Sequence, residues 1–168
     1  MAGPAQRKLL SLDANLVFDL AREKDFAHEF LETFLARGYG LVLPPAAVYE
    51  IHIIHSSGEL AQEREWAGVA LANLQRWRIR PFDLDGPSEA IAEQFAMRLL
   101  HRRLIPDDEF DDGLILAQTS LAGVPLLVTS DKHLLDIDED ELLLAFNDAD
   151  LFPVRPVHPK RLVRALRG

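Results

Sequence analysis

The sequence predicts one α/β domain whose central sheet is mostly parallel and covered by helices on both faces. Short apolar runs at residues 9–12, 41–43 and 124–128 stop at residue types that end strands and open helices. Between them lie segments with apolar residues three and four apart, the period of an amphipathic helix. Parallel strands need crossover connections, so strands alternating with helices imply a parallel sheet. With 168 residues, 48% of them hydrophobic, the chain suits one sizeable core and is too short for two.

Taken in order, residues 9–12 form the first strand and run into Asp13-Ala14-Asn15, which feeds a helix whose bounds the pattern does not set. Residues 26–36 carry a helical pattern that stops before Gly38, where a helix C-terminal glycine belongs. The second strand, 41–43, is closed by Pro44-Pro45, and helical patterns follow at 46–55, 60–77 and 88–103, the last with Pro87 near its first turn. A further helix at 111–122 ends at Gly123. The third strand, 124–128, leads into Thr129-Ser130-Asp131, where Ser130 or Asp131 would cap the next turn. From Phe152 onward Pro alternates with Val and Arg before Pro159-Lys160-Arg161-Leu162-Val163-Arg164, which suggests an edge strand and a short basic helix. One domain is expected to span 1–168, with 1–8 as a flexible tail.

Composition narrows the function. The formal net charge of −9 means that whole-molecule attraction cannot hold a polyanion, so any nucleic acid must be held locally. There is no cysteine, which excludes disulfides and thiolate-ligated zinc. The start carries two cations, Arg7 and Lys8, but its apolar run is broken at once by Asp13, unlike a signal-peptide core. No apolar stretch approaches the roughly 20 residues that span a bilayer. A soluble, cytoplasmic protein with no membrane partner is expected. The acidic runs at 107–112 and 138–141 are too short, and too rich in apolar neighbours, to be disordered tails.

Asp13 follows the first strand directly and Asp131 lies just past the third. A parallel sheet therefore places both at the edge formed by the strands' carboxyl ends, where ligand sites of such sheets belong. Glu50, in the first turns of the helix opened by Pro44-Pro45, and Asp112, near the start of its helix, point to the same edge. Four crowded carboxylates repel one another and raise the pKa of at least one, unless a cation compensates. Oxygen donors without cysteine or a convincing histidine cluster favour Mg2+ or Mn2+ over zinc. Such a centre can orient a scissile phosphate and stabilise a leaving oxygen.

Four segments then resemble, in order, the motifs of PIN-domain nucleases. Leu10-Ser11-Leu12-Asp13-Ala14-Asn15-Leu16-Val17 resembles the opening strand followed by Asp-x-Asn, and Leu43-Pro44-Pro45-Ala46-Ala47-Val48-Tyr49-Glu50 resembles the second motif, an acid after a proline-containing strand exit. Asp112-Gly113-Leu114-Ile115-Leu116-Ala117 resembles the third, an acid leading an apolar helix, and Leu127-Val128-Thr129-Ser130-Asp131 the fourth, a strand ending in Thr-x-Asp. Any one motif is weak; four in order over residues 9–157 make a strong joint signal.

The resemblance implies a three-layer α/β/α fold and a metal-dependent ribonuclease with Asp13, Glu50, Asp112 and Asp131 as acidic ligands. Asn15, Thr129 and Ser130 would support them by hydrogen bonds. It also implies, for members of VapC type, a toxin silenced by a small antitoxin partner, and a homodimer. Two departures stand out. Gly113 occupies a place where the resemblance implies a small residue, often alanine, and glycine comes at some cost in helix propensity. Asp111 and Asp108 lie beside and one turn before Asp112 and could replace it as ligands.

Plainer readings compete at each point. Asp after a strand is often only a helix cap, and acids at a helix start gain about 0.3 to 1 kcal/mol each from the helix dipole. His52 and His55 lack the Glu of a zinc-protease motif and are assigned to packing or a partner. The run from Asp108 fails as a calcium loop, because Thr119 stands where Glu is required. Arg76, Arg78 and Arg80, then Arg98, Arg102 and Arg103, then residues 160–167, form basic clusters that are solvated surface by default. A cluster flanking the acids would hold phosphates, with Trp77 or Tyr49 offering a stacking face. Ala47, Val48, Ile51 and Ile54 are assigned to the core or a dimer surface. Two rival functions remain: a non-catalytic PIN scaffold that binds RNA or protein, and a phosphatase using Asp13 as nucleophile. The phosphatase lacks its second Asp, since Asn15 stands there.

Overall fold

The computed structural model describes residues 8–167. The tail expected at 1–8 lies, except for Lys8, outside the described residues. In chain order the elements are β1 (Leu9–Leu12), α1 (Ala14–Ala21), α2 (Asp25–Ala36), β2 (Gly40–Leu43), α3 (Pro45–Ser57), α4 (Ala61–Asn73) and β3 (Ile79–Pro81). There follow α5 (Gly86–His101), α6 (Phe110–Leu121), β4 (Leu126–Val128), α7 (Lys132–Leu135), α8 (Glu139–Asp148), β5 (Arg155–Val157) and α9 (Pro159–Arg167).

The five strands make one sheet in the order β3-β2-β1-β4-β5, and every pair is parallel. β1 is completely apolar toward the core except at Ser11, whose hydroxyl bonds Thr119 of α6 at 2.8 Å. Leu10, Leu12, Leu41, Leu43, Leu127 and Val128 are buried, as strands covered on both faces require. Helices enclose them through Phe30 and Phe34 of α2, Ile51 of α3, Phe95 of α5 and Phe146 of α8. Phe95 and Phe146 stack at 4.5 Å between ring centroids.

The strand order decides where a ligand can sit. From β1 the chain moves outward through β2 to β3, then returns to β4 on the other side of β1 and moves outward to β5. The direction reverses between β1 and β4, so the connections leaving those two strands diverge and open a crevice at their carboxyl ends. Asp13 and Thr129 are the first residues past those two strands.

The parallel sheet is as expected, with every strand pair among the described residues parallel. Several expectations change. The helix read at 60–77 stops at Asn73, and Arg78 takes a positive φ of 58° to turn the chain into β3, a strand too short for its period to show. The acidic stretch after Asp136 forms α8, with Asp138 accepting from Glu141 N as its cap. Gly38 and Gly123 do close α2 and α6, at φ of 83° and 73°, where a Cβ would be strained. β5 is the expected edge strand, blunted by Pro156.

Candidate active site

Asp13 combines a helix cap with a buried acid. Its Oδ1 accepts from Ala14 N at 2.7 Å and its Oδ2 from Thr129 Oγ1 at 2.8 Å. Its backbone N–H donates to Val128 O at 3.0 Å, so the ends of β1 and β4 are tied together at the crevice. Thr129 Oγ1 lies 3.4 Å from Asn15 Oδ1 and accepts from Asp131 N at 2.9 Å. Thr129 therefore bonds Asp13 and the backbone of Asp131 directly, whereas Asn15 reaches the acids only through Thr129. Ser130 instead donates to Asp19 Oδ2 at 2.9 Å, so its hydroxyl serves α1 and none of the four acids. Asp131 caps α7 by accepting from His133 N at 2.9 Å.

Glu50 and Asp112 arrive from two helices held in register with each other. α3 begins at Pro45 with no side-chain cap of its own. Its free Ala46 N–H is taken by Gln118 Oε1 of α6 at 2.9 Å, which locks the start of α3 to the helix carrying Asp112. α6 also packs tightly on α5. A Cβ on Gly113 would lie 2.9 Å from both the Cα and Cβ of Ala96 and 3.1 Å from Ile105. The glycine that weakens the helix in isolation is therefore what lets α6 approach and places the neighbouring Asp112 in the crevice.

The acids share one field. Burial pushes the Asp13 carboxyl up to about 6, against the bonds from Thr129 and Ala14 that lower it; Asp131 and Glu109 add to the rise. Burial, then the charges of Asp13, Asp111, Glu109 and Asp131, push Glu50 up to about 7. Burial, then Asp13, Asp131, Glu109 and Glu50, push Asp112 up to about 8. Each of the three responds to the others' partners, which is the behaviour of one cluster facing a common space. Glu109 also belongs to it: burial and the charges of Asp108 and Asp131 raise its carboxyl. The sequence does not single it out, because nothing in the run 107–112 distinguishes it from its neighbours. Of the alternative acids, Asp111 acts on Glu50, while Asp108 acts on Glu109 alone among these groups.

The donor set suits a hard divalent cation. All candidate ligands are carboxylate oxygens, and Asp112 Oδ2 is buried with no hydrogen-bond partner. Among the described residues, no group of three or more Asp, Glu or His side chains is arranged to hold a metal ion as it stands. The acids form a shared electrostatic site, not a preassembled cage. His52 and His55 are exposed on α3 and contribute nothing to it. Trp77 is buried, with its ring edge against His28 at 6.5 Å, so it offers no stacking face; Tyr49, next to Glu50, is 65% exposed. Ala47 and Ile51 face the core, with Val48 and Ile54 packed at its border.

No family model matches the sequence, and no curated protein sequence matches it. Solved structures do. VapBC2 from Rickettsia felis, crystallised bound to a DNA fragment from its promoter, matches with a TM-score of 0.60 at 15% identity over 89% of this chain and 98% of that one. VapBC-1 from nontypeable Haemophilus influenzae gives 0.56 at 13% identity over 90% and 98%. FitAcB from Neisseria gonorrhoeae gives 0.53 at 19% identity over 89% and 97%. At such identities the likeness speaks for the fold: this chain has the PIN-like α/β fold shared by the VapBC and FitAB structures.

Proposed function

We propose that the chain is a divalent-metal-dependent endoribonuclease whose site is formed by Asp13, Glu50, Asp112 and Asp131. The observation that carries this reading is the buried, unpartnered Oδ2 of Asp112 among carboxyls pushed up to between about 6 and 8. Burying carboxyls and crowding their charges in this way is costly for a fold to keep unless a cation compensates. The PIN-like fold and the four motifs in order support the same reading.

In the reaction, Asp13, Glu50, Asp112 and Asp131 would hold Mg2+ or Mn2+, with Glu109 at the rim. A cation there would supply Lewis-acid stabilisation of the charge that develops on the phosphate. Thr129 orients Asp13, Asn15 lies beside Thr129, and Gln118 fixes the helix that presents Glu50. With carboxyls pushed up to about 7 and about 8, Glu50 and Asp112 would be partly protonated near neutral pH and would release those protons as the site takes up positive charge. The likeness to VapBC and FitAB structures supports reading the enzyme as the toxin of a toxin–antitoxin pair; inhibition by a small antitoxin, a homodimer and a cytoplasmic location complete the proposal. Among the described residues no helix is long and apolar enough to cross a membrane.

Purified protein incubated with mixed RNA in Mn2+, Mg2+ or EDTA tests the reading. Cleavage in either metal, abolished by EDTA and by Asp13→Asn, is expected. RNA that is bound but left whole under every condition would point to the scaffold function instead.

A further inference from the structure

We infer that Lys24, Lys160 and Arg164 form a phosphate-gripping surface for the RNA strand that enters the acidic crevice. This rests on the ribonuclease reading and adds where the substrate is held. α9 carries four cations and no acid in a chain of net charge −9. Lys160 and Arg161 stand in its first turn, where cations oppose the helix dipole, so local helix stability does not explain them. Leu162, Val163 and Leu166 face inward, leaving the cations exposed.

Lys24, just before α2, joins them because the starts of α2 and α9 lie side by side. The rings of Phe26 and His158 are 5.7 Å apart, and Lys160 Nζ lies 5.2 Å over Phe26. His158 Nδ1 accepts from Lys160 N at 3.1 Å and so fixes the first turn of α9. Among the described residues, Lys24, Lys160, Arg161 and Arg164 form no salt bridge, whereas Arg102, Arg155 and Arg167 each pair with an acid.

The surface sits beside the site. α9 starts directly after β5, at the same carboxyl edge as Asp13 and Asp131. Ser130, next to Asp131, donates to Asp19, and Asp19 feels the charges of Arg22, Lys24 and His158. Arg76 and Arg78 precede β3 and so lie at the opposite edge of the sheet.

A single-stranded RNA of about 20 nucleotides is the probe. Its affinity for Asp13→Asn protein in EDTA, measured against salt, is compared with that of Asp13→Asn carrying Lys24→Gln, Lys160→Gln and Arg164→Gln. Affinity should fall at least tenfold, and the slope of log affinity against log salt should shrink by about two. Arg76→Gln, Arg78→Gln and Arg80→Gln should change neither. On the active protein, the first triple variant should raise KM for the long RNA while leaving cleavage of a dinucleotide nearly unchanged. Equal losses in both triple variants, or an unchanged affinity and salt slope, would overturn the proposal and leave the surface to an acidic protein segment. An active protein cutting RNA equally well with and without the three cations would sink the surface but not the nuclease; RNA bound through the patch but never cut would do the reverse. All three substituted side chains are exposed, and a matching melting temperature establishes that the variant is folded.

Discussion

The hydroxyl of Thr129 stands 2.8 Å from Asp13 Oδ2 and accepts the backbone N–H of Asp131 at 2.9 Å, so one side chain ties two acids across the gap between β1 and β4. That bond lowers an Asp13 pKa that burial raises. Thr129→Val should therefore push Asp13 further up and move the cleavage profile to higher pH. Activity is expected to fall roughly 10- to 100-fold near pH 6.5 and less near pH 8.5, as loss of a ligand's supporting partner does elsewhere. Thr129→Ser, which keeps the hydroxyl, should restore most of it. Initial rates across pH check this.

The three raised carboxyls also set how metal-free stability depends on pH. Their ordinary values are 3.8 for Asp and 4.5 for Glu, against about 6, 7 and 8 in the fold. Between those limits the folded chain binds more protons than the unfolded one, so the free energy of unfolding falls as pH rises from about 4 to about 8. The stabilising protonated state is complete below that window and lost above it. In EDTA the protein should be less stable at pH 8 than at pH 5, by several kcal/mol. Mn2+ should recover much of the difference at pH 8. Denaturant titrations at the two pH values measure it.

Asp112→Asn separates stability from activity. Removing this charge relieves repulsion from Asp13, Asp131, Glu109 and Glu50. The variant should melt higher than the parent in EDTA at pH 8, lose the stabilisation by Mn2+, and cut RNA roughly a hundredfold more slowly or worse. A melting temperature unchanged in EDTA would mean that the acids do not strain the fold.

Gly113→Ala tests the close approach of α5 and α6. Helix propensity favours alanine by about 1 kcal/mol, but the added Cβ meets Ala96 Cα and Cβ at 2.9 Å. The clash should win, costing a net of roughly 1 to 3 kcal/mol. Ala96→Gly should restore only part, because the new methyl still meets the backbone of α5 at that position. Chemical denaturation of the single and double variants is the measurement.

Gln118→Leu should leave the Ala46 N–H without a partner and loosen the start of α3. The expected cost is about 1 to 3 kcal/mol, with a fall in kcat as Glu50 loses its fixed place.

The placement of Asp13, Glu50, Asp112 and Asp131 at one edge was legible because each lies just past a strand or in the first turns of a helix, where local pattern and sheet topology together fix the edge. α8 escaped because its first-turn acids, Glu139, Asp140 and Glu141, hid the buried face of Leu142, Ala145 and Phe146. β3 escaped because three residues, one of them buried, show no period. Gln118 and Asp19 act on partners 72 and 111 residues away, contacts that no local pattern records. Glu109 is one acid in a run of five, and only folding shows which of them look inward. Gly113 is a departure in the sequence and a fitted contact once its neighbour Ala96 is in place.

Anomalous scattering from a crystal grown with Mn2+ probes the carboxylate crevice most directly. A peak beside Asp112 Oδ2 and Asp13, absent from crystals of Asp112→Asn, is the expected result. A crevice free of manganese at saturating concentration, in protein that still cuts RNA, would contradict the assignment of these acids as the metal-binding catalytic centre.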